Sequence, residues 1–160
     1  MPNAKKKIRT TIGVISDTHS LLRPEARKAL EGSHMILHAG DVGAWEILRD
    51  LRRIAPVVAV RGNVDEDDWA KFLPAFEVAE VAGKSLYILH HIDDLDVKPQ
   101  AAGFAAVIYG HSHHPAIEWK DGVLFFNPGS AGPRRFALPV TVGRIQIVDG
   151  ELHPEIVELL

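Results

Sequence analysis

Cysteine is absent from the 160 residues. That absence excludes disulfides and thiolate metal sites, so any bound metal must rest on histidine, carboxylate or amide oxygen. No apolar run approaches the ~18 residues needed to cross a bilayer, which excludes a helical membrane span. Excess charge is scarce too. The net charge is −3, whereas a general nucleic-acid binder needs a basic face to neutralise phosphates. The opening stretch MPNAKKKIRTT is basic but has no apolar segment behind it, so it does not read as a secretory signal. Residues 1–9 are expected to form a flexible basic tail, and the cytoplasm is the default compartment. No internal repeat, low-complexity segment or linker interrupts the remainder. With 46% hydrophobic residues, a chain of this length supports one domain, 1–160, with a sizeable core.

What is present is a design used several times: an apolar run that stops abruptly at small or polar residues. Ile12–Ile15 runs into Ser16, Asp17, Thr18 and His19. Met35–Leu37 leads through His38 and Ala39 to Gly40 and Asp41. Val57–Val60 leads to Gly62 and Asn63, Leu86–Leu89 to His90 and His91, Ala105–Tyr109 to Gly110, His111, Ser112 and His113, and Val123–Phe126 to Asn127. Short Val- and Ile-rich runs read as strands buried on both faces. Between the first three lie helical stretches. Pro24 suits the first turn of a helix to about Leu30, and Ile47, Leu48, Leu51 and Ile54 recur at helical spacing. Strand–helix–strand–helix–strand implies parallel strands with right-handed crossovers. Their carboxyl ends then share one sheet edge, where ligands bind in open α/β folds.

The second half reads differently. Asp121-Gly122 and Asp149-Gly150 are hairpin signals. Val140–Val148 and Glu151–Val157 should pair antiparallel, and Glu77–Val81 with Ser85–Leu89 should form a hairpin around Gly83. Two sheets packed face to face, with helices outside, are expected.

Asp17, His19, Asp41, Asn63, His90, His111 and His113 make seven candidate ligands of oxygen or imidazole type. Such donors suit Mn, Fe, Zn, Ni or Co rather than Ca, which prefers all-oxygen shells. Seven side chains exceed one ordinary site but serve two ions about 3.5–4 Å apart that share a carboxylate. A bridge needs two oxygens, and Asp41 is the natural choice.

Taken singly, each piece also has an ordinary structural reading. Asp17 and His19 would serve as a helix cap and its neighbour, and Asp41 or Asn63 as turn residues. His34 and His38 fit edge or core packing, His114 a rim position, and His153 the surface of the last hairpin. The run Asp65–Asp68 reads as a helix N-terminus complementing the dipole. Asp93, Asp94 and Asp96 read as a solvated loop. Asn127–Ser130 reads as support behind the site. Arg134 and Arg135 fit either a phosphate or the ordinary surface, and Trp45, Trp69 and Phe136 either the core or an interface, which leaves a homo-oligomer open.

In order, D-x-H, G-D, G-N, a lone His and G-H-x-H resemble the calcineurin-like metallophosphoesterase superfamily. SDTH, HAGD, RGN-x-D, GHSH and NPGS are similar to its small single-domain phosphodiesterase branch. The resemblance runs from about Ile12 to Asp149. It implies an α/β fold, a four-layer αββα sandwich with two packed mixed sheets and helices outside, and a site for two divalent metal ions, Mn first. By motif, Asp17, His19 and His113 would hold one ion, Asn63, His90 and His111 the other, and Asp41 would bridge. A metal-bridging hydroxide would attack a small phosphodiester substrate, with Asn63 steadying the phosphoryl oxygens.

Two departures matter. Much of the superfamily has a histidine after the G-N, the usual proton donor to the leaving group, and Val64 stands there. That favours esters whose leaving groups need little help, such as aryl esters. The branch usually reads H-G-H at the fourth ligand, whereas this chain reads His90-His91-Ile92. The preceding strand favours His90, a one-residue shift would nominate His91, and the other would then face substrate, which makes His91 a candidate acid. Two further readings stand beside the diesterase: a phosphomonoesterase of the same fold, and a metal-binding scaffold for protein partners, as in a retromer subunit.

Overall fold

The computed structural model describes residues 8–160. In chain order its strands are β1 (Arg9–Ile15), β2 (Met35–His38), β3 (Val57–Ala59), β4 (Phe76–Val81), β5 (Lys84–Leu89), β6 (Ala106–Ile108), β7 (Ala116–Lys120), β8 (Val123–Asn127), β9 (Thr141–Val148) and β10 (Glu151–Glu158). Its helices are α1 (Pro24–Leu30), α2 (Trp45–Arg52) and α3 (Pro99–Ala102).

Two mixed five-stranded sheets form, ordered β10-β9-β1-β2-β3 and β4-β5-β6-β8-β7. β1, β2 and β3 are parallel neighbours, and β9 closes antiparallel on the other side of β1. The three anticipated hairpins are present. Asp121-Gly122 and Asp149-Gly150 turn with positive φ at both positions, the geometry that matches strand twist in a two-residue hairpin.

The inner faces meet in one apolar layer. Ile12, Val14, Leu37 and Ile145 from the first sheet pack against Leu86, Ile88, Ile108, Leu124 and Phe126 from the second. Outside the first sheet, α1 and α2 bury Ala26, Leu30, Ile47, Leu48 and Leu51 against Ile15 and Ile36. α2 places those three apolar residues at helical spacing on its sheet side. Outside the second sheet the helical layer is thin. It comprises the 3-10 turn Ile92–Asp94 and the single turn α3, opened by Pro99 and closed by Gly103 at φ 82°. Ile92, Leu95, Val97 and Phe104 complete that cover over Tyr87 and Val107.

The expected tail of residues 1–9 needs a correction at its end. Arg9 opens β1 and pairs with Val148. Its side chain is exposed, but strand pairing uses the main chain, which side-chain polarity does not reveal. Residues 1–7 of that tail lie outside the described residues. Trp69 packs against the α1/α2 layer, whereas Trp45 and Phe136 are exposed, Phe136 at 95%.

Candidate metal centre

All seven residues singled out in the sequence lie where strands of the two sheets end. Asp17 and His19 follow β1, Asp41 follows β2, Asn63 follows β3, His90 follows β5, and His111 and His113 follow β6. Main-chain bonds lock these ends together: Asp17 N–H to the Gly40 carbonyl at 3.0 Å, His19 N–H to that of Asp41 at 3.0 Å, and Gly110 N–H to that of His90 at 2.9 Å.

The backbone is strained here. Asp17, His19, Asp41, His111 and His113 all have positive φ, between 46° and 72°. Most other positive-φ non-glycine positions lie in hairpin turns. Left-handed backbone costs a non-glycine residue roughly 1–2 kcal/mol, and such cost concentrates at functional sites. Two glycines allow the loops to approach. A Cβ on Gly62 would stand 2.2 Å from the Asp41 nitrogen, and one on Gly110 2.1 Å from Ser16 Oγ.

Asp17, His19, Asp41, His90 and His113 form the inner cluster. Asp17 Oδ1 lies 3.9 Å from His19 Nε2, 3.9 Å from His90 Nε2 and 3.4 Å from His113 Nε2. Asp41 Oδ2 lies 3.7 Å from His19 Nε2 and 3.2 Å from His90 Nε2. Two sets of three, Asp17–His19–His113 and Asp17–Asp41–His90, each have donor atoms within 4.8 Å of one another. Asp17 is common to both sets, and Asp41 of the second set reaches within 3.7 Å of His19 Nε2 in the first. Asn63 and His111 are more exposed and adjoin each other, His111 Nδ1 lying 3.3 Å from Asn63 Oδ1. The His91 ring stacks on His111 at 4.1 Å, outside the carboxylate cluster.

Three of the inner side chains, Asp17, Asp41 and His90, share one logic. Asp17 Oδ2 accepts the Ser16 hydroxyl at 2.8 Å and the His111 N–H at 3.1 Å, while Oδ1 is buried with no hydrogen bond. Asp41 Oδ1 accepts the Val64 N–H at 3.1 Å, leaving Oδ2 toward the cluster. His90 Nδ1 lies 2.7 Å from the Ala39 carbonyl. A carbonyl only accepts, so Nδ1 carries the proton and Nε2 keeps a lone pair. His90 Nε2 and His19 Nε2 are buried without a hydrogen bond. Orphaned buried polar atoms are costly and rare. One donor atom tied to the protein and a second left free toward a shared space is how ligands are oriented for a cation. The residues present therefore fit divalent metal ions.

Ionisation follows the geometry. Burial opposes the charge on Asp41, but the His90 contact and charge, the Val64 N–H and His19 outweigh it and hold the carboxyl at about 2. For His90 burial works downward, and the Asp41 contact, both aspartates and the Ala39 carbonyl raise it overall. Burial wins at His19, with Asp41 and Asp17 pulling against it and His113 and Arg135 adding to the fall. His111 is lowered by burial, then by His91 and His90.

Several supporting residues were not visible in the sequence. Asp65, expected at a helix N-terminus, is 3% exposed and clamps the loops instead. Its Oδ2 accepts the Val42 and Gly62 N–H groups at 3.1 and 2.9 Å, and its Oδ1 that of Gly43 at 3.0 Å. The Asp68–Phe72 3-10 turn starts only after it, with Asp67 as its first flanking residue. His38, expected in the core, is fully buried and links two loops. Its Nδ1 accepts the Gly40 N–H at 3.1 Å, so Nε2–H donates to Thr18 Oγ1 at 3.0 Å, whose hydroxyl donates to the Val42 carbonyl at 2.8 Å. Behind the centre, Asn127 donates to the Gly110 carbonyl at 3.1 Å and Ser130 to that of Asp17 at 3.1 Å. The Asn127–Ser130 stretch thus supports the site from behind, as read from sequence. His91 accepts the Asp93 N–H on Nδ1 at 3.1 Å, and the carboxylates of Asp93, Asp94 and Asp96 are exposed. A cavity of about 580 Å³ opens at the Gly83, Asp121–Gly122 and Gly150 turns and includes none of these residues.

Comparison with known proteins gives a consistent result. Residues 11–150 match the Calcineurin-like phosphoesterase superfamily domain. A probable metallophosphoesterase of Methanothermobacter thermautotrophicus is 33% identical over 159 residues, covering 91% of this chain and 91% of that protein. A phosphodiesterase of Methanocaldococcus jannaschii is 28% identical, covering 92% and 99%. The structure of Vacuolar Protein Sorting 29 from Cryptosporidium parvum superposes with a TM-score of 0.74 at 19% identity, covering 94% and 97%, a likeness of fold.

Proposed function

The chain belongs to the calcineurin-like phosphoesterase superfamily, and on that premise we propose that it is a phosphodiesterase using two divalent metal ions, manganese first. The observation that carries this is the convergence of Asp17 Oδ1, His19 Nε2 and His90 Nε2, buried and unpaired, beside the ionised Asp41. Asp17, His19 and His113 would hold one ion, Asn63, His90 and His111 the other, with Asp41 between them. Bound there, the ions supply Lewis acidity to water and to the phosphoryl oxygens.

The chain's own groups do the rest. Asn63 offers its amide N–H to a phosphoryl oxygen. Arg135, close enough to act on His19, adds positive charge for the anionic substrate. His91 stands outside the ligand set, because its Nδ1 is engaged by the Asp93 N–H and its proton therefore sits on Nε2. That Nε2–H is a hydrogen-bond donor for the leaving oxygen. Val64 supplies no proton, so aryl diesters should be cleaved faster than alkyl ones. The phosphodiesterase name of the Methanocaldococcus relative supports the diester reading. The fold shared with a vacuolar sorting protein keeps a scaffold reading in view, but a pure scaffold has no need of a complete donor set. With no described helix long and apolar enough to cross a membrane, a cytoplasmic setting is part of the same proposal.

The test is to strip the protein with a chelator, restore manganese, and assay an aryl phosphodiester beside its monoester. Diester turnover that depends on metal is expected. Bound metal with no turnover of either would favour the scaffold, and much faster monoester turnover would favour a phosphomonoesterase.

A further inference from the structure

A cleft of about 290 Å³ opens from the candidate centre along the outer side of β5, beside the edge strand β4. On one side it meets Asn63, His90, His91 and His111. Beyond these its lining has two kinds of surface. Phe76 and Tyr87 stack at 5.5 Å and 11°, with Tyr87 buried and Phe76 56% exposed. Arg61, Asp94 and Asp96 also line the cleft, and all three are exposed.

The lining limits what fits. A small alkyl group would leave the stacked rings and the three charged groups unused. A cationic head group would find carboxylates and an aromatic face, but Arg61 in the same lining repels it. A planar ring with donors and acceptors on its edge satisfies all of them: its face stacks on an aromatic ring, its amino or hydroxyl groups donate to Asp94 and Asp96, and its acceptors take Arg61 N–H groups. The volume sits at the lower end of small-molecule pockets, which start at about 300 Å³. It suits one such unit rather than a polymer, in keeping with a chain of net charge −3.

Resting on the phosphodiesterase reading, we propose that this cleft binds the nucleoside arm of a nucleotide ester, with the base stacked on Phe76 and its edge held by Arg61, Asp94 and Asp96. The diester's phosphorus would then lie at the metal centre and the base in the cleft beside His91.

Calorimetric titration of the manganese-loaded protein with adenosine 5′-monophosphate, methyl phosphate and phosphocholine tests this, because all three carry the same phosphate group. The adenosine ester should bind about tenfold more tightly than methyl phosphate, the scale of one base–aromatic stack. Phe76→Leu should remove that preference and Phe76→Tyr keep it. If Phe76→Leu does not fold, the Asp94→Ala/Asp96→Ala variant of two exposed loop residues reads the same preference, which must fall severalfold. Equal binding of the adenosine and methyl esters, or a preference untouched by Phe76→Leu, overturns the proposal, as does tighter binding of phosphocholine. Aryl diester hydrolysis, measured on the same preparations, reports the reaction separately: its absence beside an intact adenosine preference counts against the hydrolase and not against the cleft.

Discussion

His38 should make the protein lose stability in mild acid, and the size of the loss follows from its hydrogen bonds. Both ring nitrogens serve the neutral form, Nδ1 as acceptor from Gly40 and Nε2 as donor to Thr18. Protonation would set an Nδ1–H against the Gly40 N–H inside the protein. Burial accordingly lowers the ring from 6.5 to about 4, with Asp65 and Asp17 pulling weakly the other way. The unfolded chain takes up this proton near the ordinary value and the folded chain does not, so the unfolded state binds more protons between those limits. Stability is therefore full above the unfolded value and drains as pH falls toward the folded one. A difference of about 2.5 units corresponds to about 3 kcal/mol in all, of which somewhat under half is gone at pH 5.5 and most at pH 4.5. The perturbation is His38→Gln, whose amide offers one acceptor and one donor and does not titrate. Urea unfolding of both proteins, with chelator present, would be followed at pH 7.5, 5.5 and 4.5. The parent should lose about 2–3 kcal/mol more than the variant between pH 7.5 and 4.5. Parallel pH profiles would refute the reasoning, because other histidines titrate equally in both chains.

Three further outcomes follow. Asp65→Asn keeps one oxygen for three N–H donors and sets an amide N–H2 against one of them, which should cost about 2–4 kcal/mol; manganese affinity should fall as well, since Val42 and Gly62 adjoin Asp41 and Asn63, and unchanged calorimetric binding would contradict this. Gly62→Ala puts a methyl against the Asp41 main chain and should destabilise by about 3 kcal/mol, read as a lower denaturation midpoint; a stability change under about 0.5 kcal/mol would show that the loops are not held this closely. His90→Ala should lower manganese occupancy and turnover together, whereas His91→Ala should keep occupancy and lower turnover of alkyl diesters more than of aryl ones. The reverse pattern, read by metal analysis and initial rates, would make His91 the ligand.

The convergence of the seven candidate residues was legible in the sequence because each follows the end of an apolar run, and parallel connection brings such ends to one edge. Both hairpin dipeptides were legible for a similar reason: Asp-Gly needs little context to turn. Asp65 was not, since four consecutive acids read as solvated, and only the folded turn after Gly62 brings one of them back over Val42 and Gly43. His38 was readable as buried but not as a linker, because its partners Thr18 and Gly40 come from loops whose spacing depends on both sheets. The thin outer cover of the second sheet was hidden as well: a four-residue helix is too short to show periodicity. Arg9 misled because charge describes a side chain and pairing belongs to the backbone.

The position of β9 bears on how the chain must assemble as it is made. β1 sits in the middle of its sheet, yet one of its two neighbours is Thr141–Val148. The main-chain support behind Ser16 and Asp17 also comes from Ser130 and Ala131. A ribosome delivering residues from the N-terminus therefore releases β1, β2 and both crossover helices with one flank of β1 bare, an open strand edge of the kind that invites mispairing. The loop bearing Asp17 and His19 is among the first parts synthesised and among the last to settle. Non-local pairing of this sort slows folding, and it delays a competent centre until almost the whole chain has emerged.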